Sequence, residues 1–217
     1  MTLFDPYVYR NMVLKNKFDT QDQDELDKIE ASFVPIRLKE LVRHPIDGNF
    51  DFRHLCAIHE YLFGDLFTWA GMPRTITIFK HEELLKFRSV EYAAPEDIEK
   101  EATIVIGQMH RTPWATLSLE KRAEEFSRLY SALWKIHPFR EGNTRTITHF
   151  CIQFAEANDM PIDSELISEN AEYLRGSLVA YNAIFEKDDL GDRSKPEYLE
   201  KIILDAFRRG ELKHDLL

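Results

Sequence analysis

The sequence lacks the features that mark several classes of protein. It has two cysteines, Cys56 and Cys151, each flanked by apolar residues, so we expect two free thiols rather than a disulfide framework or a cysteine metal site. No apolar run approaches the roughly 20 residues that a membrane helix needs, and Met1 to Arg10 lacks the charged start and apolar core of a signal peptide. No G-x-x-x-x-G-K-[ST] string occurs, which excludes a P-loop. We therefore expect a cytoplasmic protein without a membrane partner.

Basic residues are also scarce relative to acidic ones. The chain has 28 Lys and Arg against 38 Asp and Glu, a net charge of −10. Such a chain has no general attraction for nucleic acid, so no nucleic-acid partner is predicted. With 217 residues, 44% of them hydrophobic, the chain is large enough to bury one sizeable core. The predicted organisation is a single domain over residues 1–217, with an N-terminal arm (1–20) and a C-terminal helical extension (186–217).

Apolar periodicity predicts a helical protein. Spacings of three and four residues indicate helices over 21–43, 52–63, 96–109, 119–136, 143–156, 169–185 and 196–209. Asp51 and Gly64 are placed to begin and end the second helix. Residues 74–80 alternate Ile76 and Ile78 with threonines, which is typical of a short strand. A lone strand needs a partner, so the predicted class is all-α with one short β-hairpin.

The segment between two of these helices carries the chemistry. His137 ends one helix, and Gly142 and Asn143 begin the next, where free backbone N–H groups attract phosphate. Asn143 is a typical N-cap and hydrogen-bond donor, Arg145 suits phosphate oxygens, and Glu141 offers a hard oxygen ligand for Mg²⁺. His137 is a candidate general base. Taken singly, these residues more often indicate a helix-end histidine and a solvated charge cluster; together, within nine residues, they favour a site.

These residues resemble the signature of the Fic (fido) family, H-x-F-x-[DE]-G-N-x-R. His137, Phe139, Glu141, Gly142 and Asn143 match it, and Arg145 lies at the family's first motif arginine. Further resemblance lies in the strings Tyr7-Val8-Tyr9, Leu62-Phe63-Gly64-Asp65 and Trp69-Ala70-Gly71, and in residues 74–80, which correspond to the family's target-binding flap. The resemblance extends over roughly residues 7–185, and the signature is highly specific.

The resemblance implies a Fic-type helical core that uses Mg²⁺ to transfer AMP from ATP to a Ser, Thr or Tyr hydroxyl of a target protein. It implies that His137 is the base and that Glu141 holds Mg²⁺. The implied nucleotide-binding set is Arg140, Glu141, Gly142, Asn143, Thr144 and Arg145, and the implied target-binding flap is Ile76, Thr77, Ile78, Phe79 and Lys80. Tyr173 and Tyr181 are candidates near the adenine, with core packing as an equal alternative. Members of this family include effectors delivered into other cells.

Two threonines depart from the family pattern. Most active members have glycine at the position of Thr144 and a second arginine at that of Thr148. These changes leave open a donor other than ATP, with transfer of UMP, phosphocholine or a phosphoryl group, and a pseudoenzyme that only binds a partner. The family's inhibitory string [ST]-x-x-x-E-[GN] does not occur, so either a separate antitoxin protein restrains the enzyme or it is not restrained in this way.

Overall fold

The computed structural model describes residues 5–185 and 191–215. Within these ranges lie eight α-helices: α1 (Gln23–Arg43), α2 (Phe52–Phe63), α3 (Ile98–Arg111), α4 (Leu119–Ile136), α5 (Asn143–Ala157), α6 (Ser164–Glu169), α7 (Ala171–Tyr181) and α8 (Pro196–His214). Two-residue strands, β1 (Ile184–Phe185) and β2 (Gly191–Asp192), pair antiparallel. The predicted helical class is confirmed. Residues 1–4 of the predicted arm and 186–190 and 216–217 of the predicted extension lie outside the described residues.

Helix α4 forms the centre of the core. Ser118 begins it by accepting a hydrogen bond from the Lys121 N–H at 3.4 Å. Its apolar stripe is buried, with Phe126 and Leu129 at most 1% exposed, and it packs against α3, α5 and α8. The bounds predicted for this helix are confirmed. Because α4 is held on several sides, its C-terminal residue is a fixed platform for whatever follows it.

Helix α2 supplies a second buried surface below the site. The Asp51 carboxylate caps it by accepting from the His54 N–H at 2.8 Å, as predicted. Its buried face includes Leu55, Ile58 and His59, all fully enclosed. Helix α2 packs against α5, so these two helices and α4 together surround the segment between residues 136 and 143.

Two predicted helices differ from the structure. In α1, Phe33 and Ile36 are 37% and 58% exposed, whereas Val34 and Leu41 are buried, because only a narrow face of α1 meets the core. The helix predicted over 169–185 corresponds to α7, which ends earlier, at Tyr181; a short helix that was not predicted, α6, precedes it, and Asn170 separates the two. The Asn170 amide donates to the Leu166 carbonyl, a local bond that competes with continued helix.

The predicted strand over residues 74–80 is wrong in its pairing. The segment bends at residues 75 and 76 and forms no ladder with the described residues; an isolated bridge joins Glu82 to Arg88 further along the chain. Lys86 and Phe87 adopt positive φ values of 54° and 64°, which turn the returning chain away from a regular hairpin. The predicted alternation of faces is confirmed, since Ile78 is buried whereas Phe79 is 68% exposed. We call residues 74–93 the flap.

Candidate active site

His137 stands at the C-terminal end of α4 in an unusual conformation. Its φ of 53° places it in the left-handed region, which a side chain other than glycine or asparagine adopts at a cost of about 1 kcal/mol or more. The side chain is 2% exposed. Neither ring nitrogen has a hydrogen-bond partner among the described residues. A buried polar group without a partner is rare in folded proteins and is a reason to look for function.

Two aromatic rings enclose the imidazole of His137. The Tyr92 ring stacks on it with centroids 4.1 Å apart, and the Trp134 ring meets it edge-on at 5.3 Å. Burial, followed by the nearby charge of Lys80, holds the pKa of His137 well below its usual value of 6.5. The ring is therefore neutral at neutral pH and is able to accept a proton.

Residues 139 and 143 fix the loop that follows His137. The Phe139 ring is fully buried and lies against the His59 ring with centroids 3.8 Å apart. The Asn143 side chain accepts from the Phe139 N–H at 2.8 Å and donates to the Phe139 carbonyl at 2.7 Å. The prediction that Asn143 is the N-cap of α5 is wrong, because Gly142 has that position, whereas the predicted side-chain donor of Asn143 is present and is used to hold the loop. Its backbone N–H remains the group that can meet a phosphate.

Gly142 is the N-cap of α5 and cannot be replaced without strain. Its φ is +79°, and a Cβ at this position would lie 2.4 Å from the Phe63 ring. No described side chain caps the helix. The first N–H groups of α5 therefore point out of an uncapped helix end that carries a partial positive charge, which is a suitable place for an anion.

Glu141 lies beside this helix end and is paired with the flap. Its carboxylate is 2.9 Å from the Lys80 ammonium and accepts from the Gly142 N–H at 3.1 Å. Burial opposes its ionisation, but the charge and hydrogen bond of Lys80 and the Gly142 N–H outweigh that effect and hold the pKa of Glu141 at about 2. The loop carbonyl of Glu141 is bound by the His59 ring at 3.0 Å.

The donor set suits Mg²⁺ that binds together with a nucleotide. Among the described residues no group of three His, Cys, Asp or Glu side chains forms a metal cluster. Mg²⁺ in nucleotide-using enzymes is commonly held by one or two carboxylates and the substrate phosphates. Glu141, ionised and next to the anion-binding end of α5, fits that role.

Two arginines of the predicted set are already in ion pairs. Arg145 donates to Glu30 of α1 at 2.6 Å, and its guanidinium lies 4.7 Å from the centre of the Phe63 ring. Arg140 contacts Asp5 at 2.9 Å. Both side chains lie next to the start of α5. A phosphate bound by Arg145 would compete with Glu30 for its guanidinium.

The two atypical threonines are both engaged with α4. The Trp134 ring N–H donates to the Thr144 hydroxyl at 2.9 Å. The Thr148 hydroxyl donates to the Thr144 carbonyl at 2.6 Å and is hydrogen-bonded to the Tyr130 hydroxyl. Thr148 is 8% exposed, so this position faces the core. The two hydroxyls bond within the helix pair and supply no cation.

Several residues around the site were not predicted to belong to it. Tyr92 covers His137, His59 accepts from the Gly71 N–H at 2.8 Å, and Arg74 lies fully buried beneath the loop. Only His59 carried a sequence signal, as part of the buried stripe of α2. Conversely, Tyr173 lies exposed on α7 and donates to the Tyr198 carbonyl of α8 at 3.4 Å, while Tyr181 is half-buried against the core. Their proximity to adenine stays a prediction.

Comparison with known proteins places this geometry in a family. A family model described as "Fic/DOC family" matches residues 49–155. The chain is 34% identical over 179 residues to protein adenylyltransferase VbhT of Bartonella schoenbuchensis, covering 82% of this chain and 36% of VbhT. It is 35% identical over 145 residues to the probable protein adenylyltransferase y4lH of Sinorhizobium fredii, covering 65% and 70%. The chain thus spans about a third of the length of VbhT.

A solved structure shares the fold. It is the N-terminal Fic domain of a VirB-translocated Bep effector protein from Bartonella quintana with bound ADP, with a TM-score of 0.70 and 25% identity. The match covers 92% of this chain and 93% of that one. Within the described part of this chain, no helix is long and apolar enough to cross a membrane.

Proposed function

Because this chain belongs to the Fic/DOC family, we propose that it is a protein adenylyltransferase that transfers AMP from ATP to a hydroxyl side chain of a target protein. One observation carries the proposal: a neutral, buried histidine stands four residues before an ionised glutamate at a helix N-terminus, and the described residues supply neither a partner for its ring nitrogens nor a side-chain cap for that helix. A proton acceptor, a carboxylate for a cation and an anion-binding helix end are the three groups that nucleotidyl transfer requires.

The residues divide the reaction as follows. The backbone N–H groups at the start of α5 bind a phosphate, and Arg145 holds the outer phosphates. Glu141 holds Mg²⁺, which neutralises phosphate charge when it is bound. His137 takes the proton from the target hydroxyl as its oxygen bonds to the α-phosphorus. The bond from that phosphorus to the bridging oxygen breaks, and pyrophosphate leaves with the electron pair.

The exposed side of the flap is proposed to hold the target. Phe79, Thr75 and Thr77 face solvent, and this stretch of backbone has no ladder partner in the part of the chain that the structure describes. An extended target segment can bind there by adding a strand, which depends mainly on backbone groups and accepts varied sequences. A Ser, Thr or Tyr side chain of that segment would then be presented to His137. A separate inhibitory protein remains a further predicted partner.

Label transfer tests the reaction. The protein is incubated with Mg²⁺ and ATP labelled at the α-phosphate in a cell lysate, and labelled UTP, CTP and GTP are used in parallel. Protein-bound label from ATP supports the proposal, whereas label from another nucleotide alone would replace the donor. His137→Ala should lower the rate by roughly 10²–10⁴-fold, the usual contribution of a general base. Equal rates in this variant would remove His137 from the mechanism.

The role of Glu141 is tested by binding. Calorimetric titration of ATP with and without Mg²⁺ gives the part of the affinity that depends on the metal. Glu141→Ala should remove most of that part, because a carboxylate ligand is lost. Unchanged Mg²⁺ dependence would show that other groups hold the metal. Glu165→Ala, on the surface of α6, serves as the matched control for loss of one negative charge.

A second donor is kept as an alternative because of Thr148. The position where most active relatives have a second arginine is here a buried threonine bonded to Tyr130. A donor without a γ-phosphate would lose nothing from that change. The comparison of labelled nucleotides, extended to phosphocholine-bearing donors, distinguishes the two.

A further inference from the structure

We propose that Arg74 is a positioning residue that holds His137 in its left-handed conformation and joins the base of the flap to it, an inference that rests on the proposed function. Arg74 is 1% exposed, and its side chain lies beneath the loop rather than in it. Its side-chain hydrogen bonds all go to backbone carbonyls at the end of α4 and in the flap. Its effect on the reaction is therefore exerted through the residues that it holds.

Arg74 binds three consecutive carbonyls at the end of α4. Its Nε donates to the His137 carbonyl at 2.8 Å, and one terminal nitrogen donates to the Ile136 carbonyl at 3.3 Å. Its backbone N–H donates to the Pro138 carbonyl at 2.8 Å. The last carbonyls of a helix lack partners inside the helix, so these bonds satisfy groups that would otherwise be buried and unpaired.

The same side chain also binds the two limbs of the flap. One terminal nitrogen donates to the Ile76 carbonyl at 2.7 Å, and the other donates to the Ala93 carbonyl at 2.6 Å. Ile76 lies near the beginning of the flap, and Ala93, next to Tyr92, is its last residue. One guanidinium thus fixes the geometry of the flap relative to the histidine that the flap covers.

The partners of Arg74 are specific to a guanidinium. Among the described residues no carboxylate forms an ion pair with it; all of its side-chain acceptors are carbonyl oxygens. The negative end of the α4 dipole and these carbonyls offset the burial of its charge. A planar fork with five donors reaches four carbonyls in different directions, which a lysine ammonium with three donors cannot do.

The strain at His137 explains why such an anchor is needed. A left-handed histidine relaxes toward ordinary helical or extended backbone unless the surrounding structure holds it there. Carbonyls on both sides of the residue are bound by Arg74. Loss of these bonds should let the imidazole move, and a misplacement of about 1 Å in a catalytic group can lower a rate by about 10²-fold.

The test measures position and rate separately. Arg74→Met removes the donors and keeps much of the volume, and Arg122→Met is the control. Arg122 lies in α4, at the end of that helix far from His137, and pairs with Glu211 at 2.9 Å. NMR of ¹³C,¹⁵N-labelled protein reports the φ of His137 through its Cα shift and scalar couplings. We expect the left-handed signature to be lost or broadened in Arg74→Met and kept in Arg122→Met.

The kinetic arm uses labelled ATP, Mg²⁺ and lysate. For Arg74→Met we expect the maximal rate to fall about 10- to 100-fold while the Kd for ATP changes less than about threefold. Millimolar ethylguanidinium should restore part of the rate to Arg74→Ala, which a general loss of folding would not allow. If Arg74→Met does not fold, Arg74→Lys is used with the same expectations, because it keeps the charge but not the set of bonds.

The outcomes separate two failures. If wild type and Arg122→Met transfer no label, the proposed function fails, and the NMR arm still decides the role of Arg74. If they transfer label and the Arg74 variants keep both the left-handed signature and the wild-type rate, the inference about Arg74 is overturned. A fall in rate matched by an equal loss of ATP affinity, without guanidinium rescue, would also overturn it.

Discussion

A histidine with both ring nitrogens buried and unpartnered destabilises a fold, and a purely structural residue gains nothing from that state. His137 has two unfavourable features: its ring nitrogens lack partners among the described residues, and its φ is positive. The surrounding residues maintain both: Tyr92 and Trp134 enclose the ring, and Arg74 holds the backbone. Such accumulated strain in a single residue is typical of a catalytic group kept ready for reaction.

The pH dependence of the reaction should reflect the lowered pKa of His137. A general base acts in its neutral form, so activity is lost only when pH falls through the pKa of the folded enzyme. Burial and the charges of Lys80 and Arg74 lower that pKa well below 6.5, against the opposing effect of Glu141. We expect kcat/KM for transfer to stay constant as pH falls through 6.5 and to decline only in more acid solution. An acid limb centred at or above 6.5 would contradict this assignment.

The two threonines should be visible in nucleotide affinity. A charge-assisted hydrogen bond contributes about 1.5–3 kcal/mol, and Thr148 supplies no charge for a γ-phosphate. Arg145 is already paired with Glu30. We expect calorimetry to give Kd values for ATP and ADP within a few fold of each other, and Arg145→Gln to remove the remaining difference.

A strong preference for ATP would require another cation to be recruited. Lys80, Arg140 and Arg175 are the nearest candidates, and each is engaged with an acidic residue, namely Glu141, Asp5 and Glu82. Replacing Thr148 with the arginine found in most active relatives should not restore the preference for ATP. Because Thr148 is buried against Tyr130, we expect Thr148→Arg to lower stability by overpacking rather than to restore ATP preference.

At the scale of elements, the flap has one side buried against the core and one side exposed to solvent. Ile78 faces the core, whereas Phe79 presents a large apolar side chain to solvent. Lys80 is turned inward to Glu141, so its ammonium is not free for a target in this conformation. A nucleotide-bound Mg²⁺ at Glu141 would compete with Lys80 for the same carboxylate, which couples loading of the site to the flap.

Phe79 should therefore affect the target more than the chemistry. We expect Phe79→Ala to reduce labelling of target proteins in lysate several-fold while self-labelling by the enzyme changes little. Leu212→Ala, which removes a similarly exposed apolar side chain from α8, is the matched control and should change neither. Parallel losses of both kinds of labelling in Phe79→Ala would show that the flap is only structural.

The elements that the sequence predicts well are those with a wide buried stripe and local caps. Helices α2 and α4 have both, and the bounds predicted for them from apolar spacing agree with the structure. The flap could not be predicted in the same way, because its pairing depends on two left-handed residues, Lys86 and Phe87, that carry no sequence signal. Alternation still identified its two faces, since burial requires only a period of two.

For the whole molecule, the acidic net charge conceals a local cluster of cations. Lys80 from the flap, Arg140 from the loop and Arg145 from α5 each form an ion pair with a carboxylate. Those carboxylates include Asp5 and Glu30, more than a hundred residues away in the sequence. The signature residues were predictable as a cluster because they are contiguous. Arg74, Tyr92 and the ion-pair partners were not, because tertiary packing alone brings them together.

The free energy of unfolding should decrease in acid, in part because of His149, a residue of α5 with no proposed part in the reaction. Burial in α5 lowers the pKa of His149 from 6.5 to about 4. Below pH 6.5 this residue is protonated in the unfolded chain but stays neutral in the folded chain. The free energy of unfolding therefore decreases as pH falls from 6.5 toward 4. The full difference in the free energy of unfolding is roughly 3 kcal/mol, and about 2 kcal/mol of it is lost between pH 7 and pH 5.

Urea unfolding at these two pH values measures the loss. His149→Leu should show a loss smaller by about that amount, whereas His214→Leu, an exposed position at the end of α8, should behave as wild type. An unchanged pH dependence in His149→Leu would mean that the folded protein admits a proton or water to this buried site.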